Sequence, residues 1–155
     1  MNKSLVCYFS ATGVTKNVAI NIKNLLGADL FEIEPVNHYT EADLNWLNKQ
    51  SRSSIEMQDR KSRPVIKNKI NNIDDYHNII LGFPVWWYTA PTIINTFIES
   101  NNLNDKNVYI FVTSGGSSYN QSFDDLKRLY PNISFISGKR LKGNESNDDI
   151  INWIK

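Results

Sequence analysis

Hydroxyl-bearing side chains surround a single glycine in residues 10–15 (SATGVT), which follow an apolar run at 5–9. The run predicts a buried strand, and apolar residues recur at helical spacing over 14–26. A turn between a strand and a helix N-terminus can hold a phosphate, because unpaired N–H groups and the positive end of the helix dipole face the anion. Hydroxyl donors could come from Ser10, Thr12 and Thr15. The same residues could instead only cap the helix, and this turn alone leaves both alternatives open.

Three consecutive aromatic residues, Trp86, Trp87 and Tyr88, follow a second apolar run at 78–83. Three adjacent rings cannot all face one core, so at least one is expected at the surface. An exposed ring beside a phosphate site favours a planar ligand stacked on it, which contributes about 0.5–1.5 kcal/mol beyond area burial. An aromatic plug between strand and helix could account for one or two of the rings.

A third polar turn, Thr113-Ser114-Gly115-Gly116-Ser117, follows the apolar run at 108–112. Adjacent glycines let a backbone approach a flat ring closely. Its N–H groups could then meet the carbonyls and ring nitrogens of a heterocycle. A flexible loop without a ligand is the alternative.

Strands alternate with helices along the chain, which predicts a single α/β domain over residues 1–155 with a parallel sheet. The predicted strands are 5–9, 28–34 (an edge strand), 78–83, 108–112 and 133–136, and the predicted helices are 14–26, 41–49, 91–100, 121–129 and 148–154. In such sheets ligands bind beyond the carboxyl ends of the strands, where the strand order reverses. We therefore expect the three turns to meet at one edge.

The spacing of apolar residues indicates secondary structure least clearly between residues 36 and 76. The helix predicted at 41–49 depends on Leu44 and Leu47, with Trp46 nearby. In residues 50–63 the apolar residues recur at neither helical nor strand spacing. The basic residues within 52–69 favour a solvated segment that covers the domain over one that contacts a ligand.

Composition narrows the possible classes of protein. The net charge of +1 gives no strong attraction to nucleic acid or to a membrane surface. The one cysteine, Cys7, excludes an internal disulfide and is expected in the core. No apolar run is long enough for a signal peptide or a membrane span, so we expect a cytoplasmic protein.

Other phosphate-binding classes do not match these turns. A nucleoside triphosphatase needs Gly-x-x-x-x-Gly-Lys-Ser/Thr, which is absent. A receiver domain needs acidic residues at 9–10 and 83–84, and a low-molecular-weight phosphatase needs a cysteine and an arginine in its phosphate loop. His38 and His77 are isolated, and no spacing indicates a metal site.

The three turns together resemble the flavin site of flavodoxins. Residues 8–15 are similar to the flavodoxin phosphate loop, Ser-x-Thr-Gly-x-Thr after a strand end. Residues 82–87 and 111–117 are similar to two loops of a short flavodoxin-like family that is related to small flavin reductases. The likeness covers essentially the whole chain, and it implies five strands in the order 2-1-3-4-5 with helices on both faces.

The resemblance implies FMN as the cofactor and assigns its contacts. The phosphate would be bound by Ser10, Thr12, Gly13, Val14 and Thr15. One side of the isoalloxazine ring would be lined by Pro84, Val85, Trp86, Trp87 and Tyr88, with Trp86 the first candidate for stacking. The pyrimidine end would be approached by Thr113, Ser114, Gly115 and Gly116. Lys16 is expected to point to solvent.

The function implied is electron transfer, in which the flavin carries the chemistry and no side chain is catalytic. We expect an FMN-dependent oxidoreductase that passes electrons from a reduced nicotinamide or a redox partner protein to a quinone-like acceptor, as a monomer or homodimer. A one-electron carrier and a non-catalytic flavin-binding module are alternatives. Carrier flavodoxins are strongly acidic, whereas residues 113–122 contain no Asp or Glu, so we expect a less negative reduction potential here.

Overall fold

Five parallel strands form the central sheet of the structure, a computed structural model that describes residues 3–154. The strands are β1 (Ser4–Tyr8), β2 (Asp29–Glu32), β3 (Asn78–Pro84), β4 (Asn107–Thr113) and β5 (Ser134–Arg140). Their order across the sheet is β2-β1-β3-β4-β5, with every neighbouring pair parallel. The predicted fold class and strand order are confirmed, while the predicted domain limits at residues 1 and 155 lie outside the described residues.

Helices connect the strands and cover both faces of the sheet. They are α1 (Val14–Leu26), α2 (Arg52–Gln58), α3 (Thr92–Ser100), α4 (Asn120–Leu129) and α5 (Asn147–Ile154). Helix α1 begins after Gly13 (φ 98°) and ends before Gly27 (φ 62°), two left-handed positions that glycine occupies without a Cβ clash.

Successive side chains of each strand point to opposite faces of the sheet, so the core consists of two layers. In β1, Leu5 and Cys7 face the layer that contains α3, whereas Val6 and Tyr8 face the layer that contains α1 and α5. Both layers are apolar because the sheet is covered on both faces. The thiol of Cys7 is fully buried, as predicted, and its burial raises its pKa.

The prediction of a helix at 41–49 is wrong. One helical turn forms there, and Thr40 and Asp43 cap its start by exchanging side-chain hydrogen bonds with each other's N–H groups at 3.0 and 3.1 Å. Asn45 and Asn48 then accept hydrogen bonds from the N–H groups two residues on, at 3.2 and 2.9 Å. Such local bonds compete with a helical backbone. Leu47, which the prediction needed on a buried face, is exposed.

Helix α2 forms instead in residues whose apolar side chains do not recur at helical spacing in the sequence. Ser51 caps it by accepting a hydrogen bond from the N–H of Ser54 at 3.4 Å. Its buried side chains are Ser53, Ser54 and Met57, a mostly polar set that a hydrophobic pattern cannot indicate. Pro91, expected in the first turn of α3, is its N-cap residue.

The two edge strands also differ from their predicted limits. Strand β2 is shorter, and beyond it a short antiparallel contact joins Pro35 to Ile66. Strand β5 extends past residue 136 to Arg140, with an irregular register opposite Val108 and Tyr109. The extension carries Arg140 to the carboxyl edge of the sheet. Within residues 3–154, no helix is both long and apolar enough to cross a membrane.

Candidate functional site

The three polar and aromatic turns meet at the carboxyl edge of β1, β3 and β4. We name them the phosphate turn (residues 10–15), the aromatic turn (84–90) and the glycine loop (113–117). The Val85 N–H donates to the Thr113 carbonyl at 3.0 Å, and the Thr15 and Thr113 hydroxyls are 2.7 Å apart. The expected meeting of the three turns is therefore present in the structure.

The phosphate turn presents unpaired N–H groups. Among the described residues, no side chain caps α1 at Gly13, so helix geometry leaves the first amides, those of Val14, Thr15 and Lys16, without intrahelical partners. Ser10 Oγ accepts a hydrogen bond from the Gly13 N–H at 3.0 Å, which shapes the turn and leaves the Ser10 hydroxyl proton free to donate. The amides at the start of α1 are therefore available to an anion.

The aromatic turn contains a strained two-residue hairpin. Trp86 and Thr89 exchange backbone hydrogen bonds at 2.9 and 3.0 Å, with Trp87 (φ 48°) and Tyr88 (φ 70°) between them. Two positive φ values mark a type I′ turn, which normally takes Asn-Gly. Non-glycine residues in this conformation cost about 1–3 kcal/mol each and cluster at functional sites. Asp125 anchors the turn by accepting a hydrogen bond from the Thr89 hydroxyl at 2.6 Å.

The three aromatic rings divide between core and surface. Trp86 is half-buried and packs edge-on against Phe9 and Tyr39, with centroid distances of 5.6 and 5.2 Å. Trp87 is 39% exposed and Tyr88 is 69% exposed. The expected surface rings are therefore Trp87 and Tyr88, and Trp86 forms a supported wall.

An arginine that the sequence did not indicate holds the glycine loop. Arg140, at the end of β5, donates to Ser114 Oγ at 3.0 Å and to the Ser114 carbonyl at 3.1 Å. Ser114 in turn donates to the Ser117 carbonyl at 2.5 Å. Gly115 and Gly116 face open space, with no atom within 4 Å of a Cβ built on either residue. A planar group can therefore approach their backbone.

The segment before β3 is anchored to the aromatic wall. The Arg52 guanidinium lies 3.8 Å from the centroid of the Tyr39 ring and donates to Glu56 at 3.2 Å. The Tyr39 hydroxyl donates to the same carboxylate at 2.6 Å, and burial together with this hydrogen bond raises the Tyr39 pKa. The expectation of a solvated covering segment is therefore wrong for α2, where Ser51, Ser53 and Ser54 are buried.

These elements enclose a cleft of about 530 Å³. It is lined by Ala11, Thr12, Leu44, Trp46, Ser53, Pro84, Val85, Trp86, Trp87, Tyr88 and Ser117. A second, more open cleft of about 800 Å³ extends along the glycine loop and shares Trp46, Tyr88 and Ser117 with the first. The pair of clefts suits a planar apolar group that carries an anionic chain.

Comparison with known proteins gives the family. A profile of flavodoxins matches residues 3–155. The chain belongs to the flavodoxin family. No curated protein matches the chain. It is similar to solved structures designated as flavoproteins from Bacteroides eggerthii DSM 20697 (47% identity, TM-score 0.97, 99% of this chain and 96% of that chain) and Bacteroides uniformis ATCC 8492 (44% identity, TM-score 0.92, 99% and 97%).

A more distant likeness is to the flavoprotein from Lactobacillus acidophilus NCFM, solved in complex with FMN. That structure is 22% identical, has a TM-score of 0.76 and covers all of both chains, so the likeness shows a shared fold. Two carboxylates that hold residues of the site are paired with arginines: Glu56 with Arg52 at 3.2 Å, and Asp125 with Arg128 at 2.9 Å.

Proposed function

We propose that this protein binds FMN in the 530 Å³ cleft and acts as an FMN-dependent oxidoreductase. The observation that supports this best is a cleft that brings Ala11 and Thr12, next to the uncapped N-terminus of α1, together with the strained, exposed Trp87-Tyr88 pair. The first suits a phosphate and the second suits a flat ring system.

The residues present fit FMN. Amide N–H groups at the start of α1 and the hydroxyls of Ser10 and Thr12 can donate hydrogen bonds to the phosphate without a buried lysine, since Lys16 is exposed. Trp86 offers a supported apolar wall for one side of the isoalloxazine, and the open backbone of Gly115 and Gly116 suits its polar pyrimidine end.

Bound FMN would supply the redox chemistry, and the protein would bind, orient and shield it. Thr15 and Thr113 hold the phosphate turn against the glycine loop, because their hydroxyls share a buried hydrogen bond. Arg140 orders the glycine loop through Ser114 and places a positive charge beside it. A positive charge favours the more negative, reduced form of a nearby flavin.

For the donor and acceptor, we propose a reduced nicotinamide and a quinone-like molecule. The second cleft, about 800 Å³, continues past Gly115 and Gly116 to Asn120 and Gln121, so it provides room for a planar substrate beyond the pyrimidine end of the flavin. A cytoplasmic location suits this chemistry, because reduced nicotinamides are found there.

Two measurements test the proposal. Titration of the apoprotein with FMN should quench flavin fluorescence at a 1:1 ratio, and absence of binding would contradict the cofactor assignment. With FMN bound, NADH or NADPH should be oxidised in steady state when a quinone is present. No turnover with either nicotinamide would contradict the oxidoreductase assignment alone.

A one-electron carrier is the second candidate. Trp46 and Tyr88 stand at the mouth of the cleft and are 68% and 69% exposed, which suits contact with a redox partner protein. A carrier would show reversible reduction of bound FMN and electron exchange with a partner reductase, without direct oxidation of nicotinamides.

A further inference from the structure

A buried hydroxyl on α2 faces the cleft without a partner. Ser53 is 1% exposed and is one of the residues that line the cleft, and its Oγ makes no hydrogen bond to any residue within 3–154. A buried hydroxyl without a partner loses its hydrogen bonds to water and gains nothing in return. Such groups are rare in folded proteins and need an explanation.

The local structure gives Ser53 no alternative partner. Its two buried neighbours bond to each other, since Ser51 Oγ donates to Ser54 Oγ at 2.9 Å and accepts from the Ser54 N–H. The helix itself is held in place by Arg52 and Glu56, which both contact Tyr39. Ser53 is therefore fixed towards the cleft by an otherwise satisfied helix.

We propose that the Ser53 hydroxyl binds the ribityl phosphate chain of FMN, so that α2 forms part of the cofactor site. This inference depends on the proposed function. Ser53 lines the first cleft together with Ala11 and Thr12 of the phosphate turn, whereas Gly115 and Gly116, which suit the pyrimidine end of the ring, line only the second cleft. Ribityl hydroxyls and phosphate oxygens both accept hydrogen bonds, so the chain offers the partner that Ser53 lacks.

The serine pair supplies a matched control. Ser53→Ala removes a hydroxyl that has no partner in the apoprotein, so the melting temperature of the apoprotein should stay equal or rise. The same change should weaken FMN binding about five- to tenfold, as expected for one lost hydrogen bond. Ser54→Ala, which removes an equally buried but paired hydroxyl, should lower the apoprotein melting temperature and leave the FMN dissociation constant within about twofold.

Titrations with FMN, riboflavin and lumiflavin locate the contact. The loss of affinity in Ser53→Ala should appear with FMN and should be absent with lumiflavin, which lacks the ribityl phosphate chain. An equal loss with all three flavins would overturn the assignment to the chain. An unchanged FMN dissociation constant, or a fall in apoprotein melting temperature that shows Ser53 to be satisfied by a structural water, would overturn the inference itself. Failure of the wild-type protein to bind FMN is a separate result, and it would contradict the proposed function.

Discussion

Thr15 Oγ1 lies 2.7 Å from Thr113 Oγ1, which joins the first turn of α1 to the last residue of β4, 98 positions apart in the sequence. Both side chains are buried. Only one of the two hydroxyls can donate to the other at a time, so the pair keeps one proton for a ligand or another acceptor. The bond therefore fixes the relative position of the phosphate turn and the glycine loop and leaves a donor available at their junction.

The first prediction concerns this pair. Thr15→Val should lower the free energy of unfolding by about 1–3 kcal/mol, because it leaves the buried Thr113 hydroxyl without its partner. Adding Thr113→Val should recover part of that loss, since the unpaired hydroxyl is then removed too. Urea unfolding of the four apoproteins measures the coupling, and additive losses would contradict the prediction.

The second prediction concerns the strained hairpin. Replacing Trp87-Tyr88 by Asn-Gly should raise the free energy of unfolding of the apoprotein by about 1–2 kcal/mol, because the new pair suits a type I′ turn. The same double substitution should weaken FMN binding at least tenfold, since both exposed rings are lost. Thermal unfolding and fluorescence titration test the two effects separately. A loss of both stability and affinity would show that the rings serve packing.

The third prediction compares two glycines. Gly82→Ala should destabilise the protein by about 1–3 kcal/mol, because a Cβ there would lie 1.9 Å from Cζ of the buried Phe111 ring. Gly115→Ala should change apoprotein stability by less than about 0.5 kcal/mol, since nothing lies within 4 Å of its Cβ position. The second substitution should instead weaken FMN binding. Equal FMN affinity in Gly115→Ala and wild-type protein would show that the ring does not approach this backbone.

The fourth prediction concerns the charge at the glycine loop. Removing the positive charge with Arg140→Gln should make the reduction potential of bound FMN more negative, because the reduced flavin is the more negative form. The wild-type potential should lie above that of acidic carrier flavodoxins. Potentiometric titration measures both. Arg63→Gln, which removes a charge that is paired with Glu99 and does not line the cleft, is the control and should leave the potential unchanged.

The fifth prediction concerns acid stability. Hydrogen bonds from Arg63 at 2.9 and 3.0 Å lower the pKa of Glu99 below its usual 4.5, against a smaller opposing effect of burial. Because the folded-state pKa is the lower one, the stabilisation is complete above about pH 4.5 and is lost as pH falls through the folded value. Glu99→Gln should therefore lose less stability than wild-type protein between about pH 5 and about pH 3 in urea titrations. Glu41→Gln, at an exposed position, should follow the wild-type curve.

The sequence predicts the sheet well because its strands are continuous apolar runs between turn residues. Residues 79–83 and 108–112 are buried, as expected for central strands of a sheet that is covered on both faces. The strand order came from the resemblance to flavodoxins, not from the pattern of apolar residues. The meeting of the three turns then follows from parallel strands alone.

The remainder of the site depends on contacts that no local pattern encodes. Trp86 packs inward because Phe9 and Tyr39 meet it from distant parts of the chain. Ser53 is buried by tertiary packing of a short polar helix, and Arg140 reaches Ser114 because β5 extends four residues beyond its apolar run. The helix predicted at 41–49 does not form because the side chains of Asn45 and Asn48 accept hydrogen bonds from nearby backbone N–H groups.

The short antiparallel contact beyond β2 has a consequence for the behaviour of the whole molecule. The Val36 N–H donates to the Val65 carbonyl at 2.9 Å, the Lys67 N–H donates to the Glu34 carbonyl at 2.7 Å, and Asn68 donates to the Glu32 carbonyl at 2.8 Å. These bonds occupy backbone groups at the carboxyl end of an edge strand, where an unpaired edge invites pairing with another chain. The residues between β2 and β3 thus line part of the cleft, through Leu44, Trp46 and Ser53, and also pair with the end of the edge strand. Shortening them would therefore threaten solubility as well as binding.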